Sequence, residues 1–179
     1  MKSLLSPTKI KSFLNCKYTI VNDFYKEDRG LKKKDITKTN ELRFKKGFEH
    51  EDKYFEILKK KYKKTINVKN PKKNQKERYH DTIKAMKEGY DVIRGGFFID
   101  GDWIGETDFL IKTDKKKSNL GDYSYEVFDT KNTKKAKNDH VIQVGVYCIM
   151  LEKTQGVLPD EFHIVLKEYR VETIKLKNV

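Results

Sequence analysis

Apolar positions along the chain change period several times, and the changes mark the elements. Ser6-Pro7-Thr8 reads as a helix start, with Ser6 at the N-cap and Pro7 at the first helical position. Ile10, Phe13, Leu14 and Tyr18 then form one apolar stripe. Residues 26–40 are charged, include Lys32-Lys33-Lys34, and read as a loop or a basic arm. From 41 to 63, Phe44, Phe48, Phe55, Leu58 and Tyr62 recur at helical spacing, with lysines on the other face. A polar loop around Pro71 covers 69–78, and another helix over about 76–88 carries Tyr79, Ile83 and Met86 on one side and stops at Gly89. The period then falls to two. Residues 90–99 read as a strand, Asp100-Gly101 as a hairpin turn, and 103–112 as the returning strand. A solvated loop at 115–119 precedes a third strand over 123–132. Asn138 or Asp139 caps a helix running to about 154, which should be buried because Val141, Ile142, Val144, Val146, Ile149, Met150 and Leu151 surround it. Strands over 162–166 and 171–176 close the pattern. Helices, a three-stranded meander, a buried helix and further strands predict an α/β fold, a mixed central sheet flanked by helices.

The 179 residues predict one domain, and ten Phe, ten Tyr and one Trp supply large core pieces. Charge changes the picture most. Lys and Arg number 40 against 27 Asp and Glu, a surplus of 13 that favours a polyanionic partner, although a merely solvated lysine-rich surface has the same composition. Cys16 and Cys148 are the only cysteines and form no CxxC, which argues against a disulfide scaffold and against a four-thiolate zinc or iron–sulfur site. No window is apolar enough to span a membrane. The opening MKSLLSPTKIKSF is interrupted by Pro7 and Lys9 and does not read as a signal peptide, so an intracellular setting (cytoplasm, nucleoid or nucleus) is expected.

The segment with most chemical content is Tyr125-Glu126-Val127-Phe128-Asp129-Thr130-Lys131. Residues two apart on a strand share a face, so Asp129 and Lys131 point the same way, ~6–7 Å apart. The acid suits a cation, and the amine suits a hydroxide or developing negative charge. A surface pair at a strand end has the same spacing. If 103–112 and 122–132 pair about 117–118, Asp108 lies opposite Val127 or a near neighbour and diagonal to Asp129. A one-residue slip would turn it away. Two carboxylates that close call for a cation between them, and oxygen donors suit Mg²⁺ or Mn²⁺. His50, in Gly47-Phe48-Glu49-His50-Glu51, could offer an imidazole to the same metal or be an ordinary helical histidine. Glu49 and Glu51 read as acids near a helix N-terminus. Gln143 and Tyr147, one turn apart on the otherwise apolar helix, either hydrogen-bond within the core or look into a cleft.

Taken together, Gly47…His50-Glu51, Gly105-Glu106-Thr107-Asp108, Asp129-Thr130-Lys131 and Gln143-x-x-x-Tyr147 resemble the RecB-like nucleases of the PD-(D/E)XK superfamily. Asp81-Thr82, Asp91-Val92-Ile93, Gln155-Gly156 and Pro159 look like a subgroup whose nuclease module is often fused to a ribonuclease-H-like or helicase domain. The resemblance runs from Ser6 to about Leu166 and implies a single nuclease domain over 1–179 with a restriction-endonuclease-like core. It implies that His50, Asp108, Asp129 and the Thr130 carbonyl hold Mg²⁺ or Mn²⁺, with Lys131 as the catalytic lysine beside Asp129 and Asp108. Gln143 and Tyr147 would face the cleft, and Lys134, Lys135 and Lys137, with the lysines at 32–34, would grip the nucleic-acid backbone. The expected activity is hydrolysis of phosphodiester bonds, in DNA before RNA, as an exonuclease of repair, replication or recombination. Some relatives carry a four-cysteine iron–sulfur cluster, which two cysteines cannot build. A fused helicase or ribonuclease-H-like domain lies outside this chain, which leaves a stand-alone nuclease and an excised module both open. The RNA endonuclease of a segmented negative-strand viral polymerase has a similar residue order, and a non-catalytic nucleic-acid-binding module would share the charge.

Overall fold

Ser6 caps the first helix as its sequence predicts, its hydroxyl accepting the Lys9 amide, and α1 runs over Pro7–Asn15. The computed structural model describes residues 5–32 and 35–179. Lys33 and Lys34 of the expected basic arm, and residues 1–4 of the opening segment, lie outside the described residues. The apolar stripe does not continue as one helix. Cys16 is extended and separates α1 from α2 (Lys17–Phe24). Phe13 and Leu14 are exposed, and Tyr18 is 75% exposed, so the stripe is not a core face.

Thr37 caps α3 (Lys38–Lys61), whose last turn carries Lys59, Lys60 and Lys61 against the negative end of the helix dipole. Only its second half packs. Tyr54, Phe55 and Leu58 are buried, whereas Phe44 and Phe48 are 56% and 57% exposed. Their helical spacing is real, but both rings stay largely in solvent, with the Lys69 ammonium over Phe48. After β1 (Thr65–Asn67), a short strand that the polar pattern did not predict, Asn74 and Glu77 form a reciprocal capping box at the start of α4 (Gln75–Lys87).

The two strands expected over 90–99 and 103–112 are each broken. The first divides into β2 (Val92–Arg94) and β3 (Phe97–Asp100), the second into β4 (Trp103–Glu106) and β5 (Phe109–Thr113). Both breaks fall at one level. Gly95 adopts φ +75°, the left-handed region that favours glycine. Its amide donates to the Asp108 carbonyl, and the Thr107 amide donates to the Gly96 carbonyl. The outer hairpin β3–β4 therefore leaves the plane as a two-stranded sheet, while β2 and β5 stay in the main one.

That main sheet adds β6 (Ser124–Thr130), β7 (Glu161–Val165) and β8 (Val171–Lys175), with α5 (Asn138–Gln155) between β6 and β7. Its order is β1-β2-β5-β6-β7-β8. β1–β2 and β6–β7 are parallel and the other neighbours antiparallel. The chain is thus α/β, with a mixed six-stranded sheet and flanking helices. One face carries Ile93, Leu110, Val127 and Ile164 beneath α4 and α5. The other carries Val92, Phe109, Ile111 and Val165 beneath α3. α5 is less enclosed than its all-round apolarity predicts, since Ile149 faces solvent. It ends at Gly156 in the left-handed conformation. Gln155, fully buried, accepts the Tyr125 amide and donates to the Tyr125 carbonyl. A side-chain amide thus occupies the place of a neighbouring strand. No described helix is long and apolar enough to cross a membrane.

The break depends on Gly95. A Cβ there would stand 2.6 Å from Lys69 Cβ and 3.0 Å from its Cα, in a strained backbone conformation. Gly95→Ala is expected to cost about 2–4 kcal/mol in urea unfolding. Gly101→Asn is expected to stay within about 0.5 kcal/mol, because Gly101 has φ +57°, which asparagine tolerates, and open space around it. Equal effects at the two positions would show that the break is not held by this glycine.

Candidate active site

β6 alternates its side chains between the two faces. Tyr125, Val127 and Asp129 point toward α5, and Glu126 and Phe128 toward the α3 face. Phe109↔Phe128 is the last β5–β6 pair, so β5 ends its pairing one residue short of Asp129. Asp108 stands at the next position outward, level with Asp129, where the sequence placed it opposite Val127 or a near neighbour and diagonal to Asp129. Its Oδ2 accepts the Thr130 amide at 2.7 Å and the Thr130 hydroxyl at 2.6 Å. The carboxylate takes up the backbone donor that the departing strand leaves without a partner.

Asp129 is 2% exposed. Its Oδ2 lies against the Lys131 ammonium as an ion pair, but no donor is aligned on that oxygen at hydrogen-bonding angles. Burial pushes its carboxyl up to about 6; Lys131 opposes the rise and the charge of Asp108 adds to it. Burial works to strip Lys131 of its proton, but Asp129 and Asp108 outweigh this and hold its pKa above the ordinary value. The structure thus brings Asp108, Asp129, Thr130 and Lys131 together. Two carboxylates share the site with one ammonium, which leaves room for added positive charge.

Gln143 and Tyr147 are both buried on α5 and hydrogen-bond each other. The Tyr147 hydroxyl also reaches Thr8 of α1. Burial raises its pKa, and the charges of Asp129 and Asp108 raise it further. Gln143 and Tyr147 thus have partners within the protein, and Tyr147 lies within electrostatic range of the carboxylates. The close approach of the ring requires Gly105, where a Cβ would stand 2.7 Å from Tyr147 Cε1. Lys134, Lys135 and Lys137 are exposed on the connection between β6 and α5.

His50 is placed differently. It is buried on α3, which covers the face opposite Asp129. Its ring stacks on Tyr169 at 5.1 Å, and Nε2 lies 3.4 Å from the Val165 carbonyl. That carbonyl also accepts the Lys131 amide at 2.8 Å. His50 therefore meets the strand end through the backbone. A 180 Å³ cavity lined by Lys46, Glu49, His50, Lys53, Asn132 and Tyr169 opens beside it. Among the described residues, the trio whose ligand atoms all lie within 4.8 Å of one another is Glu126, Glu161 and His163, not His50, Asp108 and Asp129. Glu49 and Glu51 are not acids of a first turn, because α3 begins at Lys38. Glu51 is buried and pairs with Arg94 at 2.9 Å and Lys69 at 3.3 Å.

Three neighbours of the cluster went unnoticed in the sequence: Thr8, Lys11 and His140. Lys11 pairs with Asp139 at 3.3 Å, and its charge reaches Asp129. Nothing in the pattern signals that α1 crosses α5. His140, 4% exposed, accepts the Lys137 amide on Nδ1. Burial first, and then the charges of Lys11 and Lys131, lower its pKa to about 4.

A histidine depressed in the folded state contributes stability above its unfolded pKa of about 6.5, and that stability is lost as pH falls toward the folded value. Unfolding free energy should therefore decline between pH about 6.5 and about 4, and His140→Gln should remove part of the decline. Urea titrations at pH 7 and 4.5 measure it; the same drop in both proteins would show that His140 does not stay neutral in the fold.

The chain matches no family model and no curated protein, so the chemistry of the site rests on its own residues.

Proposed function

We propose that this chain is a metal-dependent nuclease with a restriction-endonuclease-like PD-(D/E)XK core, hydrolysing phosphodiester bonds of DNA. The observation that carries the reading is the pair of carboxylates, Asp108 and Asp129, set level with each other at a strand end against the single ammonium of Lys131. The donor set fits a hard divalent cation, since Asp129 is buried with an oxygen to which no hydrogen bond is aligned. Asp108 and Asp129 would hold Mg²⁺ or Mn²⁺, with the Thr130 carbonyl beside them. When bound, the metal supplies Lewis acidity toward a phosphate oxygen and makes water a competent nucleophile near neutral pH. His50, on α3 across the sheet from Asp129 with Nε2 against the Val165 carbonyl, would have only its other ring nitrogen to offer, and so comes last among the proposed ligands.

The residues around the metal have definable tasks. Lys131, kept protonated by its two acidic neighbours, stabilises negative charge that develops on the phosphate. Tyr147 and Gln143 fix the wall of α5 against the carboxylates, and Thr8 ties α1 to that wall. Lys134, Lys135 and Lys137 lie exposed on the same connection as Lys131 and offer charge to a phosphate backbone without reading sequence. The surplus of 13 positive charges supports a polyanionic substrate over a small neutral one. A helicase or ribonuclease-H-like partner domain and an intracellular setting belong to the same proposal.

Labelled single- and double-stranded DNA and RNA incubated with Mg²⁺, Mn²⁺ or EDTA test the reading. DNA cleavage that EDTA abolishes supports it. Cleavage of RNA alone would favour the viral-endonuclease type, and binding without cleavage in Mn²⁺ would favour a non-catalytic module. Asp129→Ala and Lys131→Ala should each lower turnover by at least ~100-fold while circular dichroism shows the fold retained. Near-normal turnover in either would place the chemistry elsewhere. Affinity for duplex should fall with log salt at a slope of about −0.9 per neutralised phosphate, summed over several contacts. A flat salt response would contradict the backbone-gripping surface.

A further inference from the structure

The sheet carries a second cluster of metal-ligand side chains, on the face away from Asp129. Glu126 of β6 and His163 of β7 are each 7% exposed, and Glu161 lies two residues before His163 on the same strand face. One ligand atom from each lies within 4.8 Å of the other two. His163 Nε2 is 3.0 Å from Glu126 Oε2. Its other nitrogen, Nδ1, is 2.9 Å from the hydroxyl of Thr173, its register partner on β8. Phe128 stacks on the imidazole at 3.9 Å. The ring is therefore oriented from two sides, with Nε2 turned to the carboxylates. The Thr173 hydroxyl can donate or accept, so it supports Nδ1 in either tautomer.

A positive charge already bridges the two carboxylates of the cluster. The Lys115 ammonium is 3.1 Å from Glu126 Oε1 and pairs with Glu161. Lys115 comes from the loop after β5, and its side chain is half exposed, so it can swing into solvent at little cost. With lysine in place, two carboxylates face one ammonium and the cluster keeps one negative charge. A divalent cation in its place would balance both.

We infer that Glu126, Glu161 and His163 form a second cation site, selective for the borderline ion Zn²⁺, in which Lys115 holds the place of the metal. One imidazole nitrogen with two carboxylates is a donor set for that ion. Bound metal ties β6 to β7 and releases Lys115 from the cluster. The site stands independently of the nuclease reading, since it shares no residue with Asp108, Asp129 or Lys131.

Thermal melts of the EDTA-stripped chain with ZnCl₂ test the site. At metal about a hundredfold above its Kd, the melting temperature should rise by about 5–10 °C. The rise should vanish in Glu126→Gln and His163→Ala and persist in Asp129→Asn, which separates this site from the proposed catalytic one. Because the two buried substitutions can prevent folding, Lys115→Gln supplies a second readout. Calorimetric titration should show it binding Zn²⁺ tighter than the wild type by a factor of about 5, the equivalent of one ion pair of about 1 kcal/mol. No metal-dependent rise in the wild type, a rise that survives Glu126→Gln and His163→Ala, its loss in Asp129→Asn, or an unchanged affinity in Lys115→Gln would each overturn the proposal.

Discussion

The hydrogen bonds from the Thr130 amide and hydroxyl to Asp108 organise this molecule. They exist because a hairpin leaves the sheet one residue too early. Gly95 turns through a positive φ, Thr107 and Gly96 exchange a bond across the bend, and β5 starts at Phe109. The amide of Thr130 then faces no strand, and a buried donor must be satisfied by something. Asp108 does it with a charge. That choice brings a second carboxylate beside the buried Asp129, and the resulting repulsion is what Lys131 offsets. Fold and candidate chemistry thus meet in one backbone defect.

β6 carries charge on both of its faces. Toward α5 it presents Asp129, and toward the other face Glu126. Each is answered by a lysine that is not on a packed helix: Lys131 at the strand end, Lys115 on a loop. Buried carboxylates are costly unless paired, and a lysine tethered by a flexible stem can be displaced where an arginine fork would not be. The central strand thus meets a lysine at a carboxylate on each side of the sheet, and in the second cluster, as proposed, a cation would take the lysine's place.

Features that depend on local chemistry were legible before any coordinates. Ser6 and Gly89 bound helices because a cap needs only its own neighbours, and Asp100-Gly101 turns a hairpin for the same reason. The parity of Asp129 and Lys131 followed from strand geometry alone. What failed to show depends on distant partners. The aromatic spacing of α3 looks the same whether a sheet lies opposite it or not, so Phe44 and Phe48 could not be told from Phe55. The face from which His50 approaches is set by how α3 lies on the sheet, which no local pattern encodes. Glu126 and His163 did leave a trace. Each is a polar residue with an apolar neighbour on either side within a strand, and such a position demands a partner.

The Val165 carbonyl accepts the Lys131 amide from inside the sheet and the His50 ring from α3. A carbonyl oxygen has two lone pairs, so it serves both donors at once. The long helix and the strand end that carries Lys131 are therefore moored to one atom of β7.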